Sequence, residues 1–256
     1  MERKLVAIVL VIAGFLLLSN FFPLQFSKTQ IIFLNVSPNR TIEKRFAQIY
    51  LPAVSSEGKG VVTTLTVEAL PGDGKVLVNI NQLLFWIDTQ QSIQIAKKVA
   101  QDYTKLDLSK YDLIYSIETN ASLVEGPSAG AAITIATIAA LENKTLNKSV
   151  MITGTINPDG TIGPVGGITA KAAAAKDIGA KLFLVPEGQG TYINYLPVKK
   201  CQQVGPLTYC VIEYKPQKVD ISREVGIQVK EVTVSYTHLR AHETSLHLVC
   251  RLLLEK

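Results

Sequence analysis

Histidine is nearly absent from this chain. Of 256 residues only three are histidine, His238, His242 and His247, and all lie in the last 19 positions. Residues 1–237 therefore offer no imidazole for a Ser-His-Asp triad, a Cys-His pair or a histidine metal site. Cysteine is equally scarce, with three residues, which excludes a disulfide-dense scaffold. Pro and Gly together number 28, too few for a collagenous or low-complexity chain. Hydrophobic residues make up 47% and charged residues 18%. That is enough apolar chain for one sizeable core with an appended segment. Any hydrolytic chemistry before residue 238 must use a base other than histidine.

The two ends of the chain differ from its middle. From Ser235 the string SYTHLRAHETSLHLVCRLLLEK holds every histidine and no Gly or Pro. It resembles a translated sequencing-adapter read-through, so residues 235–256 are expected to be a non-native tail and 201–234 an interrupted C-terminal extension. Without that tail the net charge of +5 becomes +4, which does not suggest a nucleic-acid partner. At the other end, LVAIVLVIAGFLLL (5–18) is fourteen apolar residues long, and 5–24 approaches the ~20 residues that cross a bilayer. No small-x-small cleavage site follows it. Residues 1–24 are expected to be a signal anchor, with Arg3 and Lys4 on the cytoplasmic side and the rest outside; a cleaved signal peptide is the alternative. Residues 25–57 would connect the anchor to a domain.

Two observations agree with an outside location. Cys201 and Cys210 bracket QQVGPLTY, whose Gly-Pro turn could pair them in a hairpin disulfide; two reduced cysteines are the alternative. Five of ten asparagines, Asn35, Asn39, Asn120, Asn143 and Asn147, stand in N-x-S/T sequons.

Between them, VVTTLTVEAL (61–70) reads as a strand. PGDG (71–74) reads as a hairpin turn, with KVLVNI as the return strand. Residues 88–103 predict a helix capped by Asp88, with Ile93, Ala96, Ala100 and Tyr103 on one stripe. YDLIYSIE (111–118) reads as a strand and AGAAITIATIAALE (129–142) as a buried helix. SVMITGTI (149–156) reads as one buried strand, ITAKAAAAKDIGA as a helix ending at Gly179, and KLFLVP as a strand. Residues 187–234 give no clear pattern. The expected class is α+β.

Three strings carry candidate chemistry: EGPSAG (125–130), ITGTI (152–156) and GPVGGITAK (163–171). Ser128 follows a Gly-Pro turn at the start of an apolar helix, where free N–H groups and the helix dipole suit an oxyanion; an ordinary helix cap is the alternative. Lys171 follows a Gly-rich loop in the first turns of a helix. The dipole and apolar neighbours would lower its pKa toward that of a general base; a solvated surface lysine is the alternative.

Together these strings resemble the proteolytic domain of the Lon protease family, over roughly residues 58–187, with GKG, PGDGKV and SIQIAKKVA adding to the match. The proteolytic domain would occupy 58–200. The resemblance implies Ser128 as nucleophile, Lys171 as general base and Thr153 as the hydrogen-bond partner of the lysine. Glu125 takes the acidic position three residues before the serine, where Asp is commoner. The backbone at Gly126 and Ser128 would form the oxyanion hole. It also implies protein or peptide substrates and a homo-oligomer, hexameric in many family members. The chain departs from typical members in having no G-x-x-x-x-G-K-[ST] loop and in having an apolar run instead, like the ATPase-free members of some archaea. The expected function is an ATP-independent, membrane-anchored Ser-Lys endopeptidase of unfolded or flexible proteins, with no metal and no cofactor. A non-catalytic Lon-like scaffold is the alternative.

Overall fold

The alternation in β1 (Arg45–Val54) and β2 (Gly60–Pro71) sets up the main sheet. Ala47, Ile49, Leu51 and Ala53 are buried on one strand and Thr63, Leu65, Val67 and Ala69 on the other, at the period of two that puts one face inside. The two strands pair antiparallel from Arg45↔Ala69 to Val54↔Gly60. These facts come from a computed structural model that describes residues 45–79, 87–118, 126–232 and 253. The apolar run 5–24, Asn35, Asn39, Asn120, Glu125 and the tail apart from Leu253 lie outside the described residues.

The expected hairpin at residues 71–74 is not formed. β3 (Val76–Asn79) does not return along β2. It runs parallel to β4 (Tyr111–Glu118), which pairs antiparallel with β2, giving the order β1-β2-β4-β3. The cause is the start of β4. The Asp112 carboxylate accepts the N–H groups of Asp73 (2.9 Å) and Lys75 (2.8 Å), and Gly72 N–H donates to Lys110 O (2.9 Å). A Cβ on Gly72 would lie 2.2 Å from the Asp112 carboxyl carbon. The PGDG segment therefore wraps over β4 and delivers β3 to its far side.

Two helices lie on the buried side of this sheet, one directly against it and the other packed on the first. α1 (Ile87–Thr104) buries Ile93, Ala96, Val99 and Ala100 on one stripe, and Tyr103 is half-buried. Asp88 sits in the first turn of α1 rather than before it. α2 (Gly130–Leu141) has all twelve residues buried, so it is apolar all round and packs on both the sheet and α1. Its two buried threonines satisfy their hydroxyls locally: Thr134 on Gly130 O and Thr137 on Ile133 O, with Tyr115 OH 2.9 Å from Thr137 Oγ1.

A second, parallel sheet of β5 (Val150–Ile152), β8 (Leu182–Pro186) and β11 (Gln228–Val232), with β8 in the middle, packs against α3 (Ile168–Asp177). Met151, Ile168, Ala172, Ala175 and Phe183 form its core. The run SVMITGTI, expected as one strand, is broken at Gly154. With φ of +156°, Gly154 divides β5 from β6 (Thr155–Ile156), which pairs with β7 (Ile162–Gly163). A Cβ at 154 would meet Ile162 Cγ2 at 2.4 Å, so only glycine lets the chain turn there.

Residues 191–220 form a long hairpin of β9 (Thr191–Val204) and β10 (Leu207–Asp220), followed by the short helix α4 (Ile221–Val225). Cys201 and Cys210 face each other in its register and are joined by a disulfide. Leu253 is buried in the main core, and its carbonyl accepts the Asn147 N–H at 2.7 Å. Asn143 is exposed, whereas Asn147 is half-buried with its Oδ1 held by Ser149. Among the described residues no helix is long and apolar enough to cross a membrane.

Candidate active site

Ser128 is carried by a turn that is built from glycines and tied down on one side. Gly126 has φ of +93°, a conformation that L side chains rarely adopt. Pro127–Ala129 then form one 3₁₀ turn, which closes with Gly130 N–H donating to Pro127 O and leads into α2. The Ser128 carbonyl accepts from Gly154 N–H (2.9 Å) and Thr153 Oγ1 (3.3 Å), and Ala131 N–H donates to Gly154 O (3.0 Å). The serine turn and the β5–β6 break are thus one hydrogen-bonded unit. Gly130 permits the close approach, since a Cβ there would lie 2.8 Å from Ile156 N.

Lys171 enters from the opposite wall. Gly167, left-handed at φ +68°, precedes α3 and accepts the Lys171 N–H through its carbonyl (3.0 Å). Lys171 is the fourth residue of that helix. Its side chain points inward and is 4% exposed, whereas a surface lysine would be solvated. Burial disfavours the ammonium and lowers its pKa from 10.5 to about 8. Nζ lies 3.4 Å from Thr153 Oγ1. Thr153, itself buried, has one hydroxyl proton, and its donation to Ser128 O makes the hydroxyl an acceptor toward Lys171. A neutral Lys171 that gives one N–H to Thr153 keeps its lone pair free for another proton.

These groups open into one cleft of about 450 Å³, lined by Val54, Gly126, Pro127, Ser128, Thr155, Pro164, Val165, Gly166, Gly167 and Lys171. Ser128, Lys171 and Gly126 are therefore brought together, with Thr153 between the first two. The Ser128 hydroxyl and the Lys171 amine share the cleft, and no hydrogen bond joins them directly; Thr153 links the lysine to the Ser128 carbonyl. Sequence reasoning missed Gln189. Its side-chain amide clamps the cleft-lining Val165 from both sides, accepting Val165 N–H through Oε1 (2.9 Å) and donating Nε2–H to Val165 O (2.8 Å). Nothing in residues 187–190 signals such a clamp. Among the described residues no group of three His, Cys, Asp or Glu side chains is placed to hold a metal.

The stretch of chain that carries most of this cleft matches a known family. Residues 57–210 match the family model described as the Lon protease (S16) C-terminal proteolytic domain. The chain belongs to the Lon protease family. Among curated Lon relatives, the Archaeal Lon protease of Thermoplasma acidophilum is 35% identical over 139 residues, 52% of this chain and 20% of that protein. That of Methanothermobacter thermautotrophicus is 31% identical over 141 residues, 52% of this chain and 21% of that protein. That of Thermococcus kodakarensis is 25% identical over 189 residues, 68% of this chain and 28% of that protein. The chain thus matches between 20% and 28% of the length of these Lon proteases. The Lon match takes in every cleft-lining residue except Val54 and ends in β10.

Proposed function

We propose that this Lon-family chain is a serine endopeptidase in which Ser128 is the nucleophile and Lys171 the general base. The observation that carries this reading is a buried lysine, its pKa lowered to about 8, sharing one cleft with Ser128 and leaning on the threonine that also holds the Ser128 carbonyl. Neutral Lys171 takes the Ser128 hydroxyl proton as Ser128 Oγ attacks a substrate carbonyl. The resulting oxyanion is stabilised by backbone N–H groups around Gly126 and Ser128. The lysine ammonium returns its proton to the leaving amine, leaving an acyl-Ser128 ester. Water, deprotonated by Lys171, then attacks the ester and regenerates both groups. Glu125, by its position in the Lon motif, supports this site.

Substrates are unfolded or flexible proteins, since an open cleft with apolar and glycine walls admits extended chain. Peptide hydrolysis by this pair needs no nucleotide, since the chemistry uses only Ser128, Lys171 and water. Residues 5–24 anchor the chain in a membrane, with the catalytic domain on the extracytoplasmic side, where the Cys201–Cys210 disulfide persists. The working form is a homo-oligomer, as in the wider family.

The test is casein cleavage by the full chain and by Ser128→Ala and Lys171→Ala. Loss of cleavage in both, with circular dichroism unchanged, is the expected result; normal cleavage by either removes the dyad. A catalytically silent Lon-like scaffold is favoured if the unsubstituted chain itself fails to cleave.

A further inference from the structure

The β9–β10 hairpin is the one part of the described molecule whose surface is apolar without being packed. Ten of the thirteen large hydrophobic side chains exposed among the described residues lie between Tyr192 and Tyr214. A patch of this size marks something that covers it. The register assigns these side chains to faces. Ile193, Tyr195, Ile212 and Tyr214 share one face, and Leu196, Val204, Leu207, Tyr209 and Val211 share the other. A folded partner would cover one face and leave the other bare, whereas a lipid interface surrounds both.

The edges are closed to another strand. The Cα atoms of Cys201 and Cys210 are 4.0 Å apart, the close spacing of a non-hydrogen-bonded antiparallel pair. By alternation Pro197↔Tyr214 and Tyr195↔Pro216 are pairs of the same kind, in which the backbone nitrogens face outward. Each outer edge therefore carries a proline where a docking strand would need a donor, which disfavours strand addition. The remaining outward backbone groups need water, which keeps the arm at headgroup depth and out of the hydrocarbon.

Charge and reach point the same way. The tip, Val204-Gly205-Pro206-Leu207, is uncharged, with Leu207 73% and Tyr209 65% exposed. Lys199, Lys200, Lys215 and Lys218 stand behind it. Of the two acids, Glu213 is paired with Lys200 and Asp220 caps α4. An apolar tip, tyrosines and a collar of lysines are the composition of a segment that lies in the interface of an anionic bilayer. Each strand is 14 residues long, so the arm reaches roughly 45 Å. The 20 residues between the apolar run and β1 allow the body to stand at most about 70 Å from the bilayer.

We propose that the disulfide-stapled β9–β10 arm docks by its Val204–Leu207 tip into the headgroup region of an anionic membrane, giving the tethered domain a second point of attachment. The proposal rests on the reading of residues 5–24 as an anchor, and the test separates the two. The full chain carrying Leu207→Trp is reconstituted into vesicles of phosphatidylcholine and phosphatidylglycerol, with or without bromine on the upper acyl carbons. The unsubstituted chain, whose single tryptophan is Trp86, supplies the background. Tyr209→Trp, a second exposed site, is read in parallel in case the first variant does not fold. The expected result is flotation with the vesicles, a blue-shifted indole and loss of about half its emission to the brominated lipid. A chain that floats with an indole in water-like emission and unquenched overturns the arm and leaves the anchor standing. Cross-linking of two copies through the unquenched arm also overturns it and assigns the surface to a second copy. A chain that stays in the aqueous fraction overturns both.

Discussion

Replacing Lys171 by Met isolates the cost of burying the lysine charge, because methionine keeps an unbranched side chain and removes the ammonium. In the folded chain the pKa falls from 10.5 to about 8, with burial as the cause. Below pH 8 the lysine is protonated whether folded or unfolded, so the fold carries the whole penalty. At 1.36 kcal/mol per unit the penalty is roughly 3 kcal/mol. Between pH 8 and 10.5 the folded state has shed its proton and the unfolded state has not, so stability rises with pH. Above 10.5 both states are neutral and the penalty is gone. Urea unfolding of the unsubstituted chain and of Lys171→Met, followed by circular dichroism from pH 7 to pH 11, reads this directly. Subtracting the two curves removes other titrations. The variant's stability advantage should shrink by roughly 3 kcal/mol across that range. The same ionisation governs catalysis. About a tenth of Lys171 is neutral at pH 7, against about one part in three thousand for a free lysine. Accordingly kcat/KM should climb about tenfold per pH unit below 8 and level off above it. A flat stability difference, together with a rate profile that ignores pH 8, would refute the argument that burial tunes this lysine.

Three further outcomes follow from the same contacts. Thr153→Val removes the hydroxyl that accepts from Lys171 and donates to Ser128 O. It should cost about ten- to a hundredfold in kcat and move the midpoint of the rate profile to lower pH, because the ammonium loses an acceptor. A profile unchanged in midpoint would show that Thr153 does not act on the lysine. Gln189→Ala removes both hydrogen bonds to Val165 and should raise KM several-fold with kcat less affected, measured on a fluorogenic peptide series; an unchanged KM would mean the 164–167 wall holds itself. Gly130→Ala places a Cβ 2.8 Å from Ile156 N and should lower stability by about 1–3 kcal/mol in urea titration, and a neutral effect would contradict the docking of the serine turn on β6.

The parts of the fold that could be read in advance are those in which one element determines its own pattern. The strict alternation of Leu65, Val67 and Ala69 marks β2, and the unbroken burial of α2 follows from a run with no polar face. β3 could not be placed, because its position beyond β4 depends on Asp112, a residue that lies 39 positions from Asp73. The split at Gly154 depends on the approach of Ile162, which no local signal announces. Ser128, Thr153 and Lys171 were legible through three short strings in a fixed order. The burial of Lys171 was suggested by its alanine and glycine neighbours and is now tied to a lowered pKa. Gln189 was not legible, because a side-chain clamp on another loop's backbone leaves no periodicity. The arm at 191–220 was opaque for the opposite reason: it exposes both faces, so neither strand alternates.

In the proposed mechanism Ser128 is acylated with Lys171 as its base. Intact-mass and peptide-mapping spectrometry of the full chain treated with a peptidyl β-lactone, which acylates an activated hydroxyl, tests it most directly. A single adduct is expected on the peptide containing Ser128, formed at a rate that rises through about pH 8 and is abolished by Lys171→Ala. An adduct elsewhere, or equal acylation of Ser128 in the Lys171→Ala chain, would contradict it.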